Sequence, residues 1–150
     1  MKQIALMMLT AAFLMAGQGG VDIYTTKDLA AKKEKLTEKG TQFASETLER
    51  YKGHYTMLAY RGTTGSSEVH AHEADIFFIT SGAATILTGG KLVNPHTEKA
   101  GELRGTSIEG GVRHALGTGD VIHIPAGTPH QMLVDKGVPV TYFVVKVTGQ

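Results

Sequence analysis

The sequence predicts an all-β fold, an antiparallel sandwich or barrel preceded by one helix. Three observations predict it. Beyond Phe43 the apolar residues recur with period two in short runs. Turn signals separate those runs: Gly89-Gly90, Glu109-Gly110-Gly111, Gly117-Thr118-Gly119-Asp120 and Asp135-Lys136-Gly137. The chain has 150 residues with 19 Gly and only 4 Pro, enough for one domain rich in tight turns.

The N-terminus reads as an export signal over residues 1–19. Lys2 is the only charge before Asp22, and Ile4–Ala16 is an apolar run of 13 residues broken only by Thr10. A membrane span needs about 20 apolar residues, and Gly17-Gln18-Gly19-Gly20 ends this run early. Cleavage between Ala16 and Gly20 predicts a secreted or periplasmic protein with no membrane attachment; an uncleaved anchor is the alternative. Residues 20–42 form a helical segment. Thr25 is placed to cap it, Asp28 stands in its first turn, and Gly40 stops it after Lys39. Leu29, Ala30 (or Lys33) and Leu36 give it a thin apolar stripe, enough to lie on the flank of a β-domain.

Residues 43–150 carry the strands. The runs are His54–Arg61, Glu68–His72, Asp75–Thr80, Ala83–Thr88, Val112–Leu116, Val121–Ile124, His130–Val134 and Val140–Val147. The stretch from Asn94 to Leu103 reads as the longest loop, placed to cover a barrel mouth. Gly89-Gly90 fits a two-residue hairpin turn.

Composition removes several classes of function. There is no cysteine, so disulfides, cysteine–zinc sites, iron–sulfur clusters and thiol nucleophiles are excluded. The net charge is +1, and the chain becomes neutral once Lys2 is removed. Nothing here steers the chain onto nucleic acid.

Chemistry concentrates in two segments. In Val69-His70-Ala71-His72-Glu73-Ala74-Asp75, residues two apart on a strand share a face, so His70 and His72 are expected to present both imidazoles to one side. Asp75 is at an odd offset from His70 and needs a bulge or bend to join them. In Gly119–Val134, Gly127 and two prolines make a stiff turn that fixes where His130 begins the next strand.

These segments resemble the two motifs of the cupin superfamily. Gly119, Pro125, Gly127 and His130 match the second, G-(x)5-P-x-G-(x)2-H-(x)3-N, at each spacing, with Val134 in place of the closing Asn. His70, His72 and Gly82 match the first, G-(x)5-H-x-H-(x)3-4-E-(x)6-G. Asp75 stands at its Glu position, and Gly65 is one residue closer to His70 than the pattern asks. The resemblance covers about residues 54–147. It implies a jelly-roll β-barrel with one divalent transition metal (Fe, Mn, Zn, Ni or Cu) held by His70, His72, Asp75 and His130. Asp75 is preferred over Glu73 because Glu73 directly follows His72 and is expected to point away. Such a ligand set leaves positions open for water or substrate, as catalytic metal sites do.

The resemblance therefore implies a metal-dependent enzyme acting on a small polar organic molecule, of dioxygenase, isomerase or lyase type. The alternative is a non-enzymatic module that binds a sugar, a small ligand or the metal alone. Unpaired strand edges are compatible with a homodimer. His123 is expected near the site or half-buried in the barrel; His54, His96 and His114 are read as surface or loop residues. Tyr55, Tyr60 and Tyr142 are expected in the core, and Arg61, Arg104 and Arg113 are candidates for the mouth.

Overall fold

The computed structural model of the chain describes residues 20–150, so the export signal read over 1–19 lies outside the described residues. Among the described residues no helix is long and apolar enough to cross a membrane. Helix α1 (Thr26–Thr37) precedes twelve strands. Thr25 caps it through a reciprocal pair with Asp28: the Asp28 N–H donates to Thr25 Oγ1, and Asp28 accepts from the Thr25 N–H at 3.0 Å. Leu29, Lys33 and Leu36 are half-buried and no helix residue is fully buried, as expected of a helix lying on a flank. Lys32 pairs with Glu46 at 3.1 Å across to the first strand.

The strands are β1 (Phe43–Tyr51), β2 (His54–Arg61), β3 (Ser67–His70), β4 (Glu73–Thr88), β5 (Lys91–Val93), β6 (His96–Lys99), β7 (Glu102–Gly105), β8 (Ser107–Glu109), β9 (Val112–Gly117), β10 (Val121–Ile124), β11 (His130–Leu133) and β12 (Val140–Thr148). Ten of them form one curled antiparallel sheet in the order β1-β2-β12-β4-β11-β3-β7-β6, with β9 and β10 also on β4. The first half of β4 pairs with β12 and β10, and its second half with β9 and β11, so one strand serves both layers of the half-barrel.

The two runs expected at Asp75–Thr80 and Ala83–Thr88 are thus one strand, turned at Gly82. The reason is steric. Gly82 has φ +80°, and a Cβ there would stand 1.9 Å from the Pro139 carbonyl oxygen of β12's approach. Three other expectations change. Gly89-Gly90 does not close a β-hairpin: it sends the chain from β4 into β5, which pairs with β8. The stretch read as a loop from Asn94 contains the β6–β7 hairpin. The run expected to reach His72 ends at His70, because the Ala71 N–H leaves the sheet to donate to the Gly101 carbonyl at 2.8 Å.

The layers meet in a core of Ala59, Phe77, Ile79, Ile86, Met132, Val140, Tyr142 and Val144 with their neighbours. Burying such side chains is worth about 1.5–3 kcal/mol each. The core grades into a hollow end, because Ala59, Phe77, Tyr142 and Val144 also line the cavity there.

Candidate metal centre

The hollow end is a cavity of about 760 Å³, a size typical of small-molecule sites. Strand alternation decides what lines it. On β2 the inward residues are Tyr55, Met57, Ala59 and Arg61; on β12 they are Tyr142, Val144 and Lys146. On β4 they are Glu73, Asp75 and Phe77, on β3 Glu68 and His70, and on β7 Glu102 and Arg104. Register aligns them in rungs: Tyr55, Lys146 and Asp75 lie side by side, Glu68 faces Arg104, and His70 faces Glu102.

His70, Asp75 and His130 come together. The ring centroids of the two histidines are 5.4 Å apart. Asp75 Oδ2 lies 3.6 Å from His70 Nε2 and 3.4 Å from His130 Nε2. All three side chains are buried. The bend between β3 and β4 is what brings Asp75 inward. His72 is not with them. It sits in that bend, exposed, beside Gly101, while the carbonyl of His72 accepts from the backbone of Gly149 and Gln150. The same-face expectation for His70 and His72 fails because the strand does not continue past His70. Glu73 is also not where its neighbour in sequence suggested. As the first residue of β4 it shares the inward face with Asp75, accepts from the Tyr55 hydroxyl at 3.4 Å, and touches neither histidine of the pair.

The sequence reading missed Glu68. Glu68, His70 and His130 each offer one ligand atom, and these atoms lie within 4.8 Å of one another. The signal was present: Glu68 and His70 are two apart on β3, the spacing that the reading applied to His70 and His72. Glu68 Oε2 is 3.1 Å from His70 Nε2, yet His70 Nε2 has no hydrogen-bond partner in good alignment and is buried. An orphaned imidazole nitrogen aimed at a carboxylate and a second imidazole is what a divalent ion would satisfy. His130 is prepared in the same sense. Its Nδ1 is 3.0 Å from the Thr128 carbonyl oxygen, which only accepts, so Nδ1 carries a proton and Nε2 is the nitrogen turned toward the cluster. These residues fit a metal.

Cations surround the acids. Arg104 contacts Glu68 at 2.8 Å and also pairs with Glu102. Lys146 holds Asp75 at 2.7 Å, and Lys99 holds Glu102 at 3.1 Å. Burial pushes the Glu68 carboxyl up, but His70, His130 and Arg104 outweigh it and hold it at about 2. Asp75 is likewise penalised by burial and pulled below its ordinary value by His130 and Lys146. Glu102 is also lowered against its burial, by Lys99 and Arg104. All three carboxyls are thus held toward the ionised form, and of the three only Glu68 stands within ligand reach of both His70 and His130.

Of the remaining candidates, Arg61 and Arg104 line the cavity and Arg113 does not. Tyr142 is buried and belongs to both the core and the cavity wall, and Tyr55 forms cavity wall. His96 is exposed at the rim on the β6–β7 hairpin, so the segment expected at the mouth does reach it. His123 is exposed on β10 and, with His114, borders a second cavity of about 410 Å³ away from this site.

No protein-family model matches the sequence, and no curated protein matches it significantly. Solved structures do. The chain is similar to the DMSP lyase DddQ from Ruegeria pomeroyi DSS-3, with TM-score 0.52 and 22% identity over 71% of this chain and 47% of that one. It is similar to the Schizosaccharomyces pombe Cnp3 cupin domain, with TM-score 0.55 and 10% identity over 72% and 66%. KdgF from Halomonas sp. gives TM-score 0.52 and 13% identity over 73% and 82%. The match spans about half the length of the first of these and just under two thirds of the second. Likeness at such identities is likeness of fold, and together with the curled antiparallel sheet it shows that this chain has a cupin-type fold.

Proposed function

We propose that the chain is a metal-dependent cupin acting on a small polar organic molecule. The observation that carries this reading is the meeting of Glu68, His70 and His130, the first two of them on the wall of a cavity of about 760 Å³. A divalent ion there, of Fe, Mn, Zn, Ni or Cu, would supply Lewis acidity or, for a redox metal, a place for dioxygen. The chain's own part is to hold both Nε2 atoms inward through the Thr128 carbonyl and the β3 register, to keep the carboxylates ionised, and to enclose the substrate away from bulk water. Elemental analysis of natively purified, tag-free protein tests it. Near-stoichiometric metal is expected, lost in His130→Ala and Glu68→Gln. Protein that purifies and reconstitutes without metal would end the reading.

One observation favours a second reading, a non-enzymatic binding module. Glu68, Asp75 and Glu102 each have a cation within 3.1 Å, so the cavity is charge-balanced as it stands. That reading expects thermal stabilisation by a ligand without product. We also propose export, on the N-terminal sequence alone, tested by fractionating cells and sequencing the mature N-terminus. A homodimer through the exposed edge near Val121 and Phe78 is tested by mass in solution.

A further inference from the structure

Arg61 stands one carboxylate away from the Glu68–His70–His130 cluster with part of its guanidinium unused. Its Nε donates to the Tyr142 hydroxyl at 2.9 Å, its Nη2 reaches Glu68 Oε1 at 3.4 Å, and its Cζ lies 4.5 Å from the centroid of the Phe43 ring. Those contacts fix the group at the cavity wall with only 11% of the side chain exposed. A guanidinium has five N–H donors. Among the described residues Nη1 makes no hydrogen bond, and Nη2 makes only the long one to Glu68.

Gly65 explains how this edge is kept in place. A Cβ on Gly65 would stand 2.1 Å from Arg61 Nη1 and 2.7 Å from Cζ. The Gly65 backbone cannot retreat: its N–H donates to the Met132 carbonyl at 3.1 Å and its carbonyl accepts from Gln131 Nε2 at 2.8 Å. Its φ is not positive, so alanine is unstrained there and only the end of the Arg61 side chain must move.

Charge and shape define what the edge would take. The inner network joins Glu68, Glu73, Asp75 and Glu102 to Arg61, Lys99, Arg104 and Lys146, four acids against four cations. With neutral histidines that network is neutral, Glu98 adds a fifth acid to the cavity wall, and a divalent ion would leave an excess of one positive charge. The same inner face of β2, β12 and β4 continues past Ala59 and Tyr142 to an apolar rung of Met57, Val144 and Phe77. A planar two-oxygen anion matches one free guanidinium edge.

We propose that the ligand is a small organic carboxylate, its carboxylate on the free edge of Arg61 and its carbon body on Met57, Phe77 and Val144. This names the substrate class of the metal-dependent reading and rests on it, although the Arg61 contact itself needs no metal. The test is calorimetric titration of butyrate, benzoate, their amides and inorganic phosphate into the full chain, metal-free and zinc-loaded. Both carboxylates are expected to bind at least tenfold tighter than their amides, and tighter than phosphate. Arg61→Gln is expected to erase that preference. Gly65→Ala is expected to weaken carboxylate binding at least tenfold while zinc stoichiometry stays at the wild-type value. Equal binding of acid and amide, tighter binding of phosphate, or an unchanged preference in either variant overturns the proposal. If Arg61→Gln does not fold, Gly65→Ala decides. If zinc does not bind, the metal reading fails by itself, and the acid-over-amide preference of the metal-free protein still decides this one.

Discussion

Gly127 donates its backbone N–H to the carbonyl of His70 at 2.8 Å. The turn that delivers His130 is therefore fastened to the strand end that delivers His70, and with the pairing of His130 opposite Glu68 it sets two motifs far apart in sequence at one distance. Pro125 and Pro129 stiffen the turn on either side of that bond.

Gly127 has φ +76° with open space where a Cβ would point. Gly127→Ala is therefore expected to cost about 1–2 kcal/mol through backbone strain alone, read by chemical denaturation. Metal affinity should fall with it, because the turn that sets His130 is the strained part. An unchanged midpoint would show that the turn relaxes freely.

The structure separates the histidines by position, His70 and His130 buried together and His72 exposed in the bend. His70→Ala, His130→Ala and Glu68→Gln should each weaken metal binding by 100-fold or more, on the order of the largest losses seen even for groups that only orient ligands. His72→Ala should bind metal as the wild type does, since His72 is exposed outside the cavity. A competition titration with a chromogenic chelator reads all four. Loss of metal from His72→Ala would mean that the bend after β3 refolds inward around the ion.

Tyr55 gives the chain a signature at high pH. Burial, then the Glu73 carboxylate beside it, push its phenol up to about 12. An unfolded tyrosine ionises near 10, so between those values the folded chain holds a proton that the unfolded chain has lost. This contribution is complete below pH of about 10 and disappears as pH rises toward 12. Urea titrations across that window should show a smaller loss of stability in Tyr55→Phe than in the wild type. Parallel curves would place the hydroxyl in water.

Thr25→Ala removes the capping pair with Asp28 and should cost about 1 kcal/mol of helix stability. Because α1 has no fully buried residue, hydrogen exchange should quicken in α1 while β4 and β12 keep their protection.

Much of this was legible in the sequence, and the omissions have physical causes. β2 and β12 stand out as apolar runs because they are buried or half-buried along their whole length. β6 was invisible because all four of its residues are exposed, so nothing forces alternation on them. His70 and His130 could be placed because their motifs fix local turns. Where β3 ends could not, since that depends on the Gly101 carbonyl, which arrives from a distant hairpin. The rule that pairs residues two apart was sound, but it selects Glu68 with His70 once the strand's end is known. Arg61, Arg104 and Lys146 come from three strands and meet only through register.

The dual membership of β4 has a final consequence. Asp75 and Phe77 look inward from the half that pairs with β12, and Ile86 fills the core from the half that pairs with β9 and β11. A slip of one position along this strand would swing Asp75 out and Ala74 in, and would expel Phe77 in the same motion. The layout of the cavity and the hydrophobic interior are thus coded on one ruler. Variants that loosen either should be found to loosen both, and mutational searches for new activity will meet their stability limit first along residues 73–88.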